Sequence, residues 1–333
     1  MKTQINIKTC TIIVMLVTMF SCHDFAQDGK TPTITKIFEL NKPGILNSKS
    51  SGGGIMVKTH NEGNAEIQVF IRKNGIILSP SDPLVTDVLE DFDLDIEKNG
   101  SVINANVERK TNFKLFNNVS IYFTIIVPSK MSCNVSSSGG GLKISGVEGT
   151  HNFKSSGGSV YIENTTGNTS AKSSGGKVKV TNHNGDIHLS SSGGGVTINE
   201  AHGNIYAYSS GGSVNLKNIH GDVDAGSSGG GVSISGECNY VKAKSSGGSV
   251  HVNISKLNKE LYLQSSGGGI DAIIKNGDEL GLDLDLSSSR VKIDLPNFYG
   301  RSEKDRVKGT MNKGGIPVYM RASGGSINVQ YEE

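Results

Sequence analysis

His202, His220 and Cys238 stand at equivalent places in successive eighteen-residue segments. Imidazole and thiolate are the donors that hold zinc or copper, and stacked segments would set the three side by side, about 4.8 Å apart. The same positions hold Glu148, Thr166 and Asn184 earlier in the chain. The column therefore reads as a ladder of exposed turn residues, and no metal or other cofactor is assigned. Gly185-Asp186 and Gly221-Asp222 raise calcium by similar logic, but Thr150, Asn168, Asn204 and Tyr240 occupy the matching sites and the nine-residue calcium motif is missing.

A different chemistry sits near the N-terminus. Lys2 and Lys8 precede an apolar run over 11–20, too short to span a bilayer, and then Ser21-Cys22. Met19-Phe20-Ser21-Cys22 has the form of a bacterial lipobox, with Met where Leu is usual. Residues 1–21 then read as a lipoprotein signal peptide cleaved before Cys22, the lipid acceptor, and 22–30 as a tether. The competing site is ordinary cleavage after Ala26, with Asp24 unfavourable two positions before it.

Catalytic motifs are not legible: P-loop, H-E-x-x-H, CxxC and the dinucleotide fingerprint do not occur. Polysaccharide-cleaving β-helices carry acidic and basic groups on long loops, whereas the segments here turn tightly. The expectation is no enzyme, with no catalytic and no cofactor-binding residue.

What would position these groups is a repeat. Ser-Ser-Gly-Gly begins at Ser137, Ser155, Ser173, Ser191, Ser209, Ser227 and Ser245, in steps of 18, and again at Ser265 after a step of 20. As a linker it would have no reason to keep register with apolar residues, yet it does. Leu142, Val160, Val178, Val196, Val214, Val232, Val250 and Ile270 stand five residues after each first Ser. Ile144, Ile162, Val180, Ile198, Leu216, Ile234 and Val252 follow two further on, across a polar position. Period-two alternation in β-branched residues marks a half-buried strand. Ile187 with Leu189 and Ile205 with Ala207 show a second strand in each segment, reached through a turn such as Asn182 to Gly185.

No segment can build a core alone, but stacked ones can. The fold class read from this pattern is all-β: a parallel β-solenoid of 18-residue, two-strand coils. The glycines at its corner are Gly139, Gly140, Gly157, Gly158, Gly175, Gly176, Gly193, Gly194, Gly211, Gly212, Gly229, Gly230, Gly247, Gly248, Gly267 and Gly268. Two reasons suggest themselves: sharp turning at positive φ, and collision of any side chain with the neighbouring corner.

Composition agrees. Glycine is 44 of 333 residues, Trp is absent and aromatics are 6%, which suits a narrow aliphatic core. The formal charge of +2 is carried by Lys2 and Lys8, so nothing points to nucleic acid. Cys133 and Cys238 fall six coils apart, roughly 29 Å, too far for a disulfide.

Residues 31–136 read as an N-terminal β region and cap, with one further corner at Ser50-Ser51-Gly52-Gly53. It contains one short helix, with Asp82 as N-cap, Pro83 first, and Leu84, Val85, Val88 and Leu89 on one face. Residues 137–269 form the regular array, and 270–333 form degenerate coils and a second cap. Val291 and Ile327 are 36 apart, twice the repeat, which predicts one coil between them. The charge- and glycine-rich stretch 299–315 reads as a loop.

The SSGG-x-V-x-I units from Ser137 to Ile270, the strand Ile121-Tyr122-Phe123-Thr124-Ile125-Ile126-Val127-Pro128 before them and the run Ser50 to Val57 resemble the bacterial "putative adhesin" family. These are envelope β-strand-repeat domains of unknown function. The resemblance implies a non-enzymatic, envelope-anchored solenoid and carries no site residues. It is read as an adhesin or interaction module for a glycan or protein at the cell envelope, held at the outer membrane by its lipid. The alternative function is a structural or signalling envelope component that self-assembles, with a carbohydrate-active enzyme behind both; the alternative location is periplasmic or secreted.

Overall fold

The computed structural model describes residues 31–40, 42–110 and 118–332, so the signal segment, Cys22 and the tether lie outside the described residues. Successive repeats stack as the period predicts. Val160 pairs with Val178, Val178 with Val196 and Val196 with Val214, all in parallel register. The second strand of each coil does the same, Ile187 against Ile205 and Ile205 against Val223. Two long sheets result, one from each half of the coil, each containing twelve parallel strands. At about 4.8 Å per step, twelve coils extend for roughly 50 Å.

Alternation decides what faces inward. Val160 and Ile162 are wholly buried between the sheets, as are Ile187, Ala207 and Val223. Small and branched side chains fill a space only two layers wide, and Phe123 and Phe153 are its bulkiest fully buried members.

Both ends of the stack depart from chain order. The N-terminal coil, built from Gly44–Ser50 and Ile55–His60, lies between the coil of Val102–Arg109 and Val119–Pro128 and the coil of Met131–Ser137 and Leu142–Ser145. At the other end Ile327 pairs in parallel with both Ile270 and Val291. The coil expected between Val291 and Ile327 therefore does not exist. Instead the terminal coil, Ile316–Ala322 and Ile327–Glu332, has entered between two earlier ones. The stretch read as a loop is an antiparallel hairpin, Phe298–Ser302 with Arg306–Met311, laid on Leu282–Ser287.

Antiparallel strands close the other end too. Asn64–Lys73 lies on Val119–Pro128, Ile34–Glu39 on Asn64–Lys73, and Phe92–Asn99 on Val102–Arg109. The helix spans Leu84–Glu90, with Val88 buried and Pro83, not Asp82, at the cap position; the Asp82 carboxylate, one residue further out, accepts the Leu84 N–H at 2.9 Å.

Candidate functional site

The SSGG corner is held by its first serine, a role the repeat alone does not reveal. Ser155 Oγ accepts the N–H of Gly158 at 2.9 Å and donates to the carbonyl of Gly140 in the preceding coil at 2.9 Å. Ser173, Ser191, Ser209, Ser227 and Ser245 repeat both bonds, so a buried hydroxyl column stitches each corner to the one before. The signal was visible: the first Ser sits in the inward register of its strand, where a hydroxyl is out of place unless bonded.

The corner glycines are required by only one of the two reasons above. None of the sixteen has a positive φ, which removes the turning argument. A Cβ on Gly157 would lie 2.7 Å from the carbonyl oxygen of Gly139, and one on Gly176 would lie 2.5 Å from the Ser159 nitrogen. Close approach of stacked backbones excludes every side chain. Positive φ belongs to the opposite corner, at Asn164, Asn182 and Asn218 and at Gly185 with φ 131. Glu200 holds the asparagine position in its coil at φ 75, in the left-handed region that favours Asn and Gly.

That corner also decides the fate of the histidine–cysteine column. The His202 and His220 rings stack with centroids 4.4 Å apart. Cys238 does not join them. A register shift after Leu216 pairs Ile219 with Gly236 and His220 with Glu237. Cys238 is thereby carried into the interior, where burial pushes its thiol up to about 12. Glu237 instead lies 3.3 Å from His220 Nδ1 and bonds Lys256 at 2.5 Å. Among the described residues, no group of three or more His, Cys, Asp or Glu side chains is placed to hold a metal ion. The Asp186 carboxylate is committed as well, accepting the N–H of Asn204 in the next coil at 2.9 Å.

One polar cluster lies inside the stack. His151, Thr165, Thr169 and His183 are all buried near the asparagine corner. Thr165 Oγ1 and His183 Nδ1 are 2.9 Å apart, and burial holds both imidazoles below their ordinary pKa, His151 at about 4. Cys133, also buried, has its thiol pushed up to about 12 by the same cause.

The outer faces are in register. On the first sheet Lys143, Tyr161, Lys179, Thr197, Asn215, Ser233 and His251 form the mixed column the repeat predicts. The second sheet is richer in rings. His188 stacks on Tyr206 with centroids 4.3 Å apart and planes 4° from parallel, and Tyr262 stacks on Tyr319 at 4.8 Å. Between these pairs Lys242 Nζ bonds Asp224 Oδ2 at 2.7 Å, and the Tyr208 hydroxyl donates to Asp224 Oδ1. Partial burial and the bond to Asp224 together push the Tyr208 phenol up. The repeat alone does not single out this face: His188, Tyr206, Tyr262 and Tyr319 share one outward column, but Asp224 and Lys242 interrupt it, and Tyr208 stands on the other.

Similarity to solved structures is broad and distant. A "putative adhesin" from Parabacteroides merdae is 10% identical over 89% of this chain and 95% of its own, with a TM-score of 0.41. A second "putative adhesin", from Bacteroides fragilis, is 13% identical over 90% and 100%, at 0.35. A "putative lipid binding protein" from Parabacteroides distasonis is 16% identical over 90% and 97%, at 0.36. No curated protein sequence matches the chain. A family model does match, over residues 47–330, nearly the whole described body: the chain belongs to the Toastrack family, DUF4097.

Proposed function

We propose that this protein is a non-enzymatic interaction module of the bacterial cell envelope, adhesive in character. The observation that carries the reading is the pair of outer faces, which hold polar and aromatic side chains in columns at the coil spacing. Such faces offer many contacts in register to a partner. Some of their polar groups are engaged with one another, as in the Asp224–Lys242 ion pair and the His251–Asp271 contact, which suits display better than acid–base chemistry. The "putative adhesin" wording attached to the two structures above points the same way.

Assembly through the ends is the competing reading. Against it, one of the edge strands, Phe92–Asn99, carries Asp93, Asp95 and Glu97, the charge pattern that blunts strand addition, although the edge strand Ile34–Glu39 exposes Ile37. Envelope attachment rests on Cys22. Among the described residues no helix is long and apolar enough to cross a membrane.

Fluorescently labelled mature protein should bind whole bacterial or host cells saturably and remain monomeric at binding concentrations. Failure on every cell type, or concentration-dependent polymerisation, would replace this reading with the assembly one. Mass spectrometry of the mature N-terminus should find acylated Cys22, and Cys22→Ser should release the protein from membranes. A chain starting at unmodified Gln27 would make it a secreted or periplasmic protein.

A further inference from the structure

We infer that the outer face of the second sheet, from His188 to Lys242, is a binding platform for a neutral, linear polysaccharide lying along the stack. The inference rests on the interaction-module reading above and names its ligand class.

The starting observation is Gly226. It sits at an outward position in the middle of Val223–Ser227, with no positive φ and no SSGG corner to require it. It is nevertheless buried, and a Cβ there would lie 3.0 Å from both Cδ1 and Cε1 of Tyr208. The Tyr208 ring therefore lies across its neighbour in the next coil, in space that only glycine leaves free. Its hydroxyl is anchored on Asp224. Held at both ends, the ring is still 43% exposed.

Tyr206, two residues earlier on the same strand, is 40% exposed and stacked in parallel on His188. Among the described residues, the other strongly exposed large hydrophobics, Ile37, Ile45, Ile76 and Tyr299, lie in the end regions. Tyr208, held at its hydroxyl, and Tyr206, with the ring face that His188 leaves open, thus present ring surface at the centre of a face that is otherwise polar from Asn152 to Lys244. A rigid tyrosine loses little conformational entropy on binding.

The chemistry around the rings selects the ligand. A pyranose offers an apolar C–H face to a ring and hydroxyls at its rim. The Asp224 carboxylate and Lys242 ammonium lie beside the rings as acceptor and donor and neutralise each other, while the next cation, Lys244, lies over the Tyr262 ring 5.1 Å from its centroid. The two outward columns from Asn152 to Lys244 contain no aliphatic side chain, whereas the core of a protein interface needs apolar anchors set in pockets. Coils advance by about 4.8 Å, close to the length of one sugar ring, so successive units of an extended polymer meet successive coils.

The test is native electrophoresis of the mature protein through gels containing hydroxyethyl cellulose, glucomannan, galactomannan or alginate. The wild type should be retarded by at least one of the three neutral polymers. The double variant Tyr206→Ala/Tyr208→Ala should lose that retardation, with apparent affinity falling about tenfold or more and its melting curve retained. Gly226→Ala, which keeps both rings but displaces one, should weaken binding, while Tyr161→Ala on the first sheet should not. Lack of retardation by every neutral polymer, retardation by alginate alone, or full binding by the double variant would overturn the inference. Cell binding separates this from the broader reading. If the double variant binds cells like the wild type, and protease but not periodate treatment of the cells abolishes binding, the module stands and the partner is a protein. If the wild type binds neither cells nor polymers, both readings fall.

Discussion

The Ser173 hydroxyl donates to the carbonyl oxygen of Gly158, in the corner of the preceding coil, at 2.8 Å while accepting the N–H of Gly176 at 2.9 Å. Removing it leaves a part-buried donor and a part-buried acceptor unpaired, and such a loss typically costs about 1–3 kcal/mol. Ser173→Ala should lower stability by that amount in urea titrations, and Ser174→Ala, in the exposed second position, should be near neutral. The final coil supplies the reverse experiment. Ala322 occupies the first-serine position there, and Ser265 turns partly to the carbonyl of its own Gly268. Ala322→Ser should raise the melting temperature.

Gly157 tests the corner on steric grounds alone. Its φ is not positive, so Gly157→Ala and Gly157→Val should both destabilise, because even one Cβ meets the Gly139 carbonyl. The expected cost of the valine is a few kcal/mol. Lys179→Val, on the outer face, should change the melting temperature little. Equal shifts for the two sites would mean that the coils are not stacked this closely.

Glu200 is strained where its counterparts are not. A left-handed backbone costs an ordinary residue about 1–2 kcal/mol, and Asn tolerates it better. Glu200→Asn should therefore stabilise the protein by roughly 0.5–1 kcal/mol, seen as a higher denaturation midpoint at unchanged slope. An unchanged or lower midpoint would show that the glutamate has compensating contacts.

Acid should loosen the stack through its buried histidines. His151 titrates near 4 in the folded protein because burial disfavours the imidazolium, against about 6.5 in the unfolded chain. Between these values the unfolded chain binds more protons, so stability is greatest above about pH 6.5 and falls as the pH drops toward 4. The loss from His151 is of the order of 3 kcal/mol, and His183 shifts in the same direction. Melting temperatures across pH 7.5–4.5 should fall less steeply in His151→Gln than in the wild type. Parallel slopes would place the acid sensitivity elsewhere.

The coil was legible in the sequence because parallel stacking sets residue i on residue i+18. Each inward Val or Ile meets its own equivalent, so local alternation and the global contact coincide. The face of Leu84, Val85, Val88 and Leu89 was legible for a similar reason, since helical periodicity acts over a few residues.

Tertiary structure decided the rest. Which coil lies beside Ile270 depends on which sheet edge is free when a strand arrives, and a spacing of 36 residues to Ile327 carries no record of that. Cys238 left the histidine column through a one-residue shift that preserves the repeat on both sides of it. The corner glycines look like turn residues in the sequence; only the packed backbones show that distance, not φ, requires them. Tyr208 and Gly226, eighteen residues apart, read as unrelated until the coils stack and place the ring of one over the bare Cα of the other.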